Sequence, residues 1–507
     1  MRDGRAHHVI VVGAGLGGLA ATMALAADGV RVTLLERAAA VGGKARALPS
    51  AAGPVNAGPT VLTMRHVFED VFRRTGADLA DYATLHREHL LARHWWPDGS
   101  SLDLFSDRAE SAAAIRGAMG GRAAKEFGKF AANAEKLYAA FQAPIIEAAA
   151  PSYKAMVGHV ALRPWLAPLI APGKTFAGLL DKIFSDPRLR QLFGRYATYV
   201  GGSPLRSPAI LQLIWRAEES GVWRVDGGMA GLAAAMAMRA REIGAEIVCD
   251  AHVDRIVSGP RLAVVLKGGE RVEGDAVVHA GDPTALIKGM LGPDASRAVL
   301  REAVQPRSLS ANVWAFAATP SGRDLAHHNV FFAAEPNSEF RAIAAGRPPE
   351  DSTLYICAQD RGGPEAPPLL ERFEMIANAA PAQTATPPSQ EEKARCQTRA
   401  FTALNRMGLT FSPEPELTAL TTPPEFAALF PGSEGSLYGL SPEDMNATFR
   451  RPTARSAIPG LYLAGGGVHP GPGAPMATLS GLRAAETIGR DLASTSPSRR
   501  TVTPGGM

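Results

Sequence analysis

The stretch His8-Val-Ile-Val-Val-Gly13-Ala14-Gly15-Leu-Gly17-Gly18-Leu-Ala20 decides the fold. Its first five residues are apolar and rich in β-branched side chains, the composition of a strand buried on both faces. Glycines 13, 15 and 18 follow in the G-x-G-x-x-G spacing. Residues 19–28 are rich in Ala, Leu and Met at helical spacing, and Gly29 stops them. Arg31-Val-Thr-Leu-Leu-Glu36 reads as a second strand that ends in an acid. The glycines have separate physical roles. Gly13 permits a tight turn, Gly15 lets the backbone approach a pyrophosphate, and Gly18 lets helix and strand pack closely; the intervening Ala14 and Gly17 share that cradle. Glu36 stands where a carboxylate accepts from a ribose hydroxyl. Strand, turn, helix and acid together predict an α/β fold with a Rossmann-type dinucleotide unit, over the alternative of a glycine turn used only for packing. An acid at this position disfavours a 2′-phosphate. NAD and FAD both stay open.

The same segment imitates something else. Residues 9–27 carry no charge, follow Arg2 and Arg5, and contain Ala24-Leu-Ala26, the elements of a secretory signal. The glycines that interrupt the apolar run favour the strand–turn–helix reading. Residues 461–482, also uncharged, are too rich in Gly and Pro for a membrane-spanning helix. Lys and Arg exceed Asp and Glu by only four, and the bases are scattered, which excludes a nucleic-acid partner. Cys249, Cys357 and Cys396 form no C-x-x-C pair and no Cys/His cluster with metal-ligand spacing, so no metal is expected and a reducing cytoplasm is.

Downstream, Arg37 precedes Val41-Gly-Gly43-Lys44-Ala-Arg46 and Asn56-Ala-Gly58-Pro59-Thr60. This looks like the segment of two-dinucleotide flavoproteins in which a second glycine pair and a basic residue clasp the flavin side of the cofactor, with Lys44 and Arg46 as candidate phosphate or ring contacts. Near the other end, residues 458–464 read as a strand, 465–476 as a glycine–proline loop containing Gly466 and Met476, and 477–491 as a helix. Amides at that helix start could face a flavin. Between them, residues 227–244 read as an alanine-rich helix, and 245–249, 252–257, 263–266 and 276–280 as strands. His279, in an apolar strand, reads as a core histidine.

These residues resemble the bacterial phytoene desaturase-type carotenoid desaturases of the flavin amine oxidase superfamily. The likeness extends through Tyr196-Ala-Thr-Tyr-Val-Gly-Gly-Ser-Pro204 and Gly221-Val-Trp-Arg-Val-Asp-Gly-Gly-Met229. Residues 57–70 and 92–104 look most like the branch that acts on 1-hydroxylated carotenoids, the hydroxyneurosporene or methoxyneurosporene desaturases. The resemblance implies bound FAD and 3,4-dehydrogenation of an acyclic carotenoid. A hydride passes to flavin N5, a proton is lost, and oxygen or a membrane quinone takes the electrons. It also implies that Val253 passes the adenine. Asn56 stands where that family often has Asp, which puts a carboxylate role there in doubt.

The expected architecture is a two-dinucleotide-binding, amine-oxidase-like FAD domain (1–75, 222–285 and 452–493) with a discontinuous α+β substrate domain (76–221 and 286–451). A disordered tail is expected over 494–507. Loops are expected at 344–349, 360–368 and 379–392. Residues 143–184 mix apolar stretches, prolines and bases, either as ordinary helices or as a face for a membrane surface. His94, in a Trp-rich stretch, and Glu218 are the candidate proton acceptors, His94 doubling as a partner for a substrate hydroxyl. Competing readings are a phytoene desaturase or carotene isomerase, a flavin-free lipid carrier, and a flavin amine oxidase.

Overall fold

The computed structural model describes residues 7–382, 384 and 386–495. Strands from three separated parts of the chain make one parallel sheet. Its order is Leu461–Leu463, Ala276–His279, His8–Val12, Arg31–Leu35 and Glu246–Val248. The helices Leu16–Ala27, Gly228–Glu242 and Ala474–Thr495 accompany it. Their alanines and glycines let backbones approach. A Cβ on Gly481 would stand 2.1 Å from the Gly17 carbonyl oxygen. The segment that imitates a secretory signal is thus a strand and helix of this core, with residues 16–25 of the helix all buried.

A second unit is built on a sheet in the order Thr410–Ser412, Ser310–Ser321, Glu371–Ala379, Leu354–Ala358, His328–Phe331, Leu90–Trp95 and Ser101–Phe105. It is antiparallel except where His328–Phe331 runs parallel to Leu90–Trp95. In Glu371–Ala379 alternation sets the faces. Phe373, Met375 and Ala377 enter a buried cluster with Trp314 and Phe401. Glu374, Ile376 and Asn378 turn to the opposite side and line a cavity. Helices over 121–219 cap that side around Phe127, Phe193 and Trp215.

Two expectations need correction. The segment 379–392 is not wholly loop. Ala379 closes a strand, and the helix Gln390–Arg406 begins behind a capping box of Ser389 and Glu392, a start signal present in the sequence. Residues 494 and 495 belong to the last helix, and the rest of the expected tail lies outside the described residues.

Candidate active site

One cavity of about 1180 Å³ runs from the glycine turn into the second unit. At one end lies the helix Leu16–Ala27. Its N-cap, Gly15, has extended backbone (φ −69°, ψ 172°), and no side chain caps the turn. A Cβ on Gly15 would meet no atom within 4 Å, whereas one on Gly18 would lie 2.0 Å from the Gly13 carbonyl oxygen. Gly15 therefore fronts open space and Gly18 is locked in packing, with Gly13 in the left-handed region (φ +106°) to close the turn. An uncapped helix start facing a cavity fits a diphosphate. Glu36 is buried, and its carboxylate accepts from the backbone N–H of Ala14 (2.7 Å) and of Ala38 (2.9 Å). Val253 opens its strand, buried, on the same wall.

The middle of the cavity gathers charge. Lys44 Nζ donates to the Leu437 carbonyl at 2.6 Å, and burial pulls its pKa down to about 8 against the attraction of Asp282. Arg46 donates to Thr421 Oγ1 (2.9 Å) and lies over the Phe426 ring, 5.4 Å from its centroid. Arg37 is exposed at the rim and donates to the carbonyls of Ala428 and Leu429. A Cβ on Gly58 would strike the Lys44 carbonyl oxygen at 2.1 Å, so the two glycine segments are pressed together. Gly43, Pro59, Gly466 and Met476 line the same wall, and Thr60 shares a 2.7 Å hydrogen bond with the Tyr355 hydroxyl. Asn56 is tied into structure instead. Its N–H donates to Gln359 Oε1 (3.0 Å), and its Oδ1 accepts from the Ala230 N–H (3.4 Å) at the start of a helix. His279 is buried, with Nε2 on the Asp282 carbonyl (3.2 Å), and reaches the cavity wall.

The far end is apolar, lined by Phe141, Ile145, Met156, Ile210 and Leu213. Polar groups interrupt it around Glu218. Glu218 Oε1 accepts from the Tyr196 hydroxyl at 2.6 Å, while Oε2 is buried and makes no hydrogen bond among the described residues. Arg195 and Tyr199 stand beside it on the cavity wall. Glu218 is therefore buried, not a helix-surface carboxylate. His94 is elsewhere. It is fully buried off the cavity, stacked on Phe332, with Nδ1 on the Leu102 carbonyl (3.1 Å). Burial pulls its pKa down to about 3, so it stays neutral at working pH. With no open path to the cavity it is corrected from a candidate proton acceptor or hydroxyl partner to a packing residue. His94→Phe should keep both flavin content and turnover within about threefold of wild type, a difference of ~0.7 kcal/mol; steady-state rates and visible spectra check it.

The sequence pattern of flavin-containing amine oxidoreductases matches residues 16–489. The chain belongs to that family. Within it, a hydroxyneurosporene desaturase of Cereibacter sphaeroides is 51% identical over 96% of this chain and 98% of its own. Another, from Rubrivivax gelatinosus, is 42% identical over 99% of this chain and 97% of its own. Among solved structures, an oxidoreductase from Methanosarcina mazei superposes with a TM-score of 0.59 at 15% identity, covering 94% of this chain and all of that one. That likeness shows the fold, an α/β amine-oxidase-like arrangement with a mixed substrate unit.

Three charged groups not singled out from the sequence belong to this site: Glu374 lines the cavity, and Arg307 and Arg451 bond to residues that line it. Glu374 is buried beside Arg46, and burial pushes its carboxyl well above the usual carboxylate range. A Glu on the cavity-facing register of an apolar strand was the available signal. Arg307 pairs with Asp282 next to Lys44. Arg451 donates to the Gly466 carbonyl (3.1 Å), pinning the C-terminal glycine loop. The fold also brings Cys357 together with His327 and His328, from which it is well separated in the sequence. Strand pairing supplies a proximity that linear spacing hides.

Proposed function

We propose that this chain is an FAD-dependent desaturase of acyclic carotenoids that introduces the 3,4 double bond of 1-hydroxyneurosporene or its 1-methoxy counterpart. The carrying observation is one continuous cavity, which joins an uncapped helix start at Gly15 to an apolar arm ending at Phe141, Ile145 and Met156. Its volume exceeds the roughly 300–1,000 Å³ of ordinary ligand pockets, as a dinucleotide and a lipid together require. The identity to hydroxyneurosporene desaturases supports the substrate.

In this reading the segments 1–75, 222–285 and 452–493 hold the cofactor. The turn Gly13–Gly18 takes the diphosphate, Glu36 the ribose, and Val253 the adenine. Gly43, Lys44, Arg46, Gly58, Pro59, Thr60, Gly466 and Met476 surround the ring. Bound flavin supplies the two-electron acceptor for the allylic C–H bond that breaks. The chain's own work is different. The apolar arm excludes water and aligns the polyene, with affinity accumulating at about 0.8 kcal/mol per buried CH₂. Glu218 accepts the proton from the neighbouring carbon.

Among the described residues no helix is long and apolar enough to cross a membrane. The substrate enters instead through a peripheral face. Tyr153, Val157, Leu162 and Trp165 are exposed on the 153–170 segment, Leu162 to 82%. Met156, on the same helix, lines the cavity, and Phe449, also lining it, packs against Tyr153. Lys154 and Arg163 border the patch. An apolar patch with basic edges beside a cavity mouth suits a lipid surface. A Leu162→Asp, Trp165→Asp double variant should lose co-flotation with anionic vesicles at least about tenfold while keeping its flavin. Undiminished flotation would remove this face as the docking site.

The deciding experiment incubates purified enzyme with 1-hydroxyneurosporene, and separately with phytoene, in liposomes. A red shift of the polyene spectrum with the first substrate alone is expected. Desaturation of phytoene instead reassigns the substrate, and a colourless protein that takes up no FAD overturns the flavin reading.

A further inference from the structure

Behind the cavity wall, Cys357 and His328 face each other as cross-strand partners in the pair Leu354–Ala358 and His328–Phe331. His327 immediately precedes that strand, and its backbone carbonyl continues the ladder by accepting from Ala358 N–H at 2.8 Å. The two imidazoles meet edge-on, with centroids 4.5 Å apart. All three side chains are buried, and their ligand atoms lie within 4.8 Å of one another.

The ring nitrogens divide in a consistent way. Nδ1 of His327 meets the Arg361 carbonyl at 2.9 Å, and Nδ1 of His328 meets the Tyr355 hydroxyl at 2.7 Å. Both Nε2 atoms are thereby left without a carbonyl or hydroxyl partner of this kind. Nε2 of His327 is 3.6 Å from Cys357 Sγ, and Nε2 of His328 is buried with no hydrogen-bond partner among the described residues. An unpartnered buried nitrogen is costly unless something fills its lone pair. Histidines that ligate a metal through one nitrogen and rest the other on a carbonyl or hydroxyl show this same division. Tetrahedral zinc, with Zn–S of about 2.3 Å and Zn–N of about 2.0–2.1 Å, sets sulfur and nitrogen about 3.6 Å apart.

We propose that His327 Nε2, His328 Nε2 and Cys357 Sγ form a zinc site. Binding replaces the thiol proton by the metal, so Zn²⁺ plus the thiol gives a zinc thiolate and one released H⁺, with no change of oxidation state. Two neutral imidazoles and one thiolate leave the site a net charge of +1. Of the cations whose charge reaches the imidazoles, Arg224 is paired with Glu88, and Arg195 stands on the cavity wall beside Glu218. Entry is through a cleft of about 240 Å³ lined by His327, Glu88 and Arg361.

The site lies next to the cavity wall. With Nε2 committed to zinc, His328 must carry its proton on Nδ1 and donate it to Tyr355. The Tyr355 hydroxyl then donates to Thr60 Oγ1, fixing the orientation of a group in the cavity. The zinc is a staple for this wall and takes no part in the electron chemistry.

The test uses the full-length flavoprotein without a histidine tag. It is stripped with a chelator, re-equilibrated with Zn²⁺ or Co²⁺, and freed of excess by gel filtration. One zinc per chain by mass spectrometry is expected, together with a rise in thermal midpoint on zinc addition. Co²⁺ should give thiolate charge-transfer and tetrahedral ligand-field bands, the latter on the long-wavelength side of the flavin. Cys357→Ala and His328→Gln should each lower the zinc retained at least tenfold with flavin content unchanged. Wild-type protein that retains no zinc and gives no cobalt–thiolate band overturns the site. So does stoichiometric zinc that both variants keep. Because the cobalt spectrum is read on wild type, a misfolded variant does not leave the question open.

Discussion

A Gly15→Val variant is expected to purify folded and colourless. Gly15 has extended backbone that any L-residue adopts, and a Cβ there meets nothing within 4 Å. The added Cβ meets no obstacle, so the unfolding free energy of the flavin-free chain should match that of flavin-stripped wild type to within about 1 kcal/mol. The isopropyl group, however, fills the space in front of an uncapped helix start, where the diphosphate is proposed to lie. Retained FAD should fall at least about tenfold, a loss of ~1.4 kcal/mol, and desaturation should fall with it. Gly18→Ala is the matched opposite. Its Cβ would lie 2.0 Å from the Gly13 carbonyl oxygen. The turn itself must break, at about 3 kcal/mol or more, and the damage appears in the stability of the stripped chain. Paired measurements of visible absorbance and thermal unfolding separate the two. A yellow Gly15→Val protein would move the cofactor away from this turn.

That contrast also shows what was legible in the sequence and why. The Rossmann turn was readable because each glycine answers a local demand, a backbone angle or a close approach, that its immediate neighbours impose. The strand His8–Val12 and the helix Leu16–Ala27 follow from the same short stretch. The substrate side was less legible because its demands are long-range. Glu218 was visible only as an acid near a glycine-rich segment, and its contact with Tyr196 across one helical connection is what places it in the cavity. His94 sat in a Trp-rich stretch that looked like a site and is an aromatic stack. Its alternation with Ala92 in the strand Leu90–Trp95 turns both side chains into the core. The His327, His328 and Cys357 cluster needed the register of two strands, which no spacing rule supplies.

Glu218→Gln should abolish most of the turnover and little else. Desaturation takes two hydrogens from adjacent carbons. One leaves with its electron pair, and the other leaves as a proton that needs an acceptor facing the polyene. Within the apolar arm, Glu218 offers a buried oxygen, Oε2, that makes no hydrogen bond among the described residues. The amide of Gln keeps the shape, and its oxygen still accepts from the Tyr196 hydroxyl, so folding and flavin content are expected to hold. What it loses is basicity. Removing a positioned acid–base group costs about 10²–10⁴-fold, and kcat should fall by at least about 10²-fold while KM moves little. Tyr196→Phe provides the comparison. It removes one hydrogen bond to the same carboxylate but leaves the base in place, so its loss should be about tenfold or less. If Glu218→Gln turns over within threefold of wild type, the proton leaves by another route, and this carboxylate only anchors Tyr196 and balances Arg195.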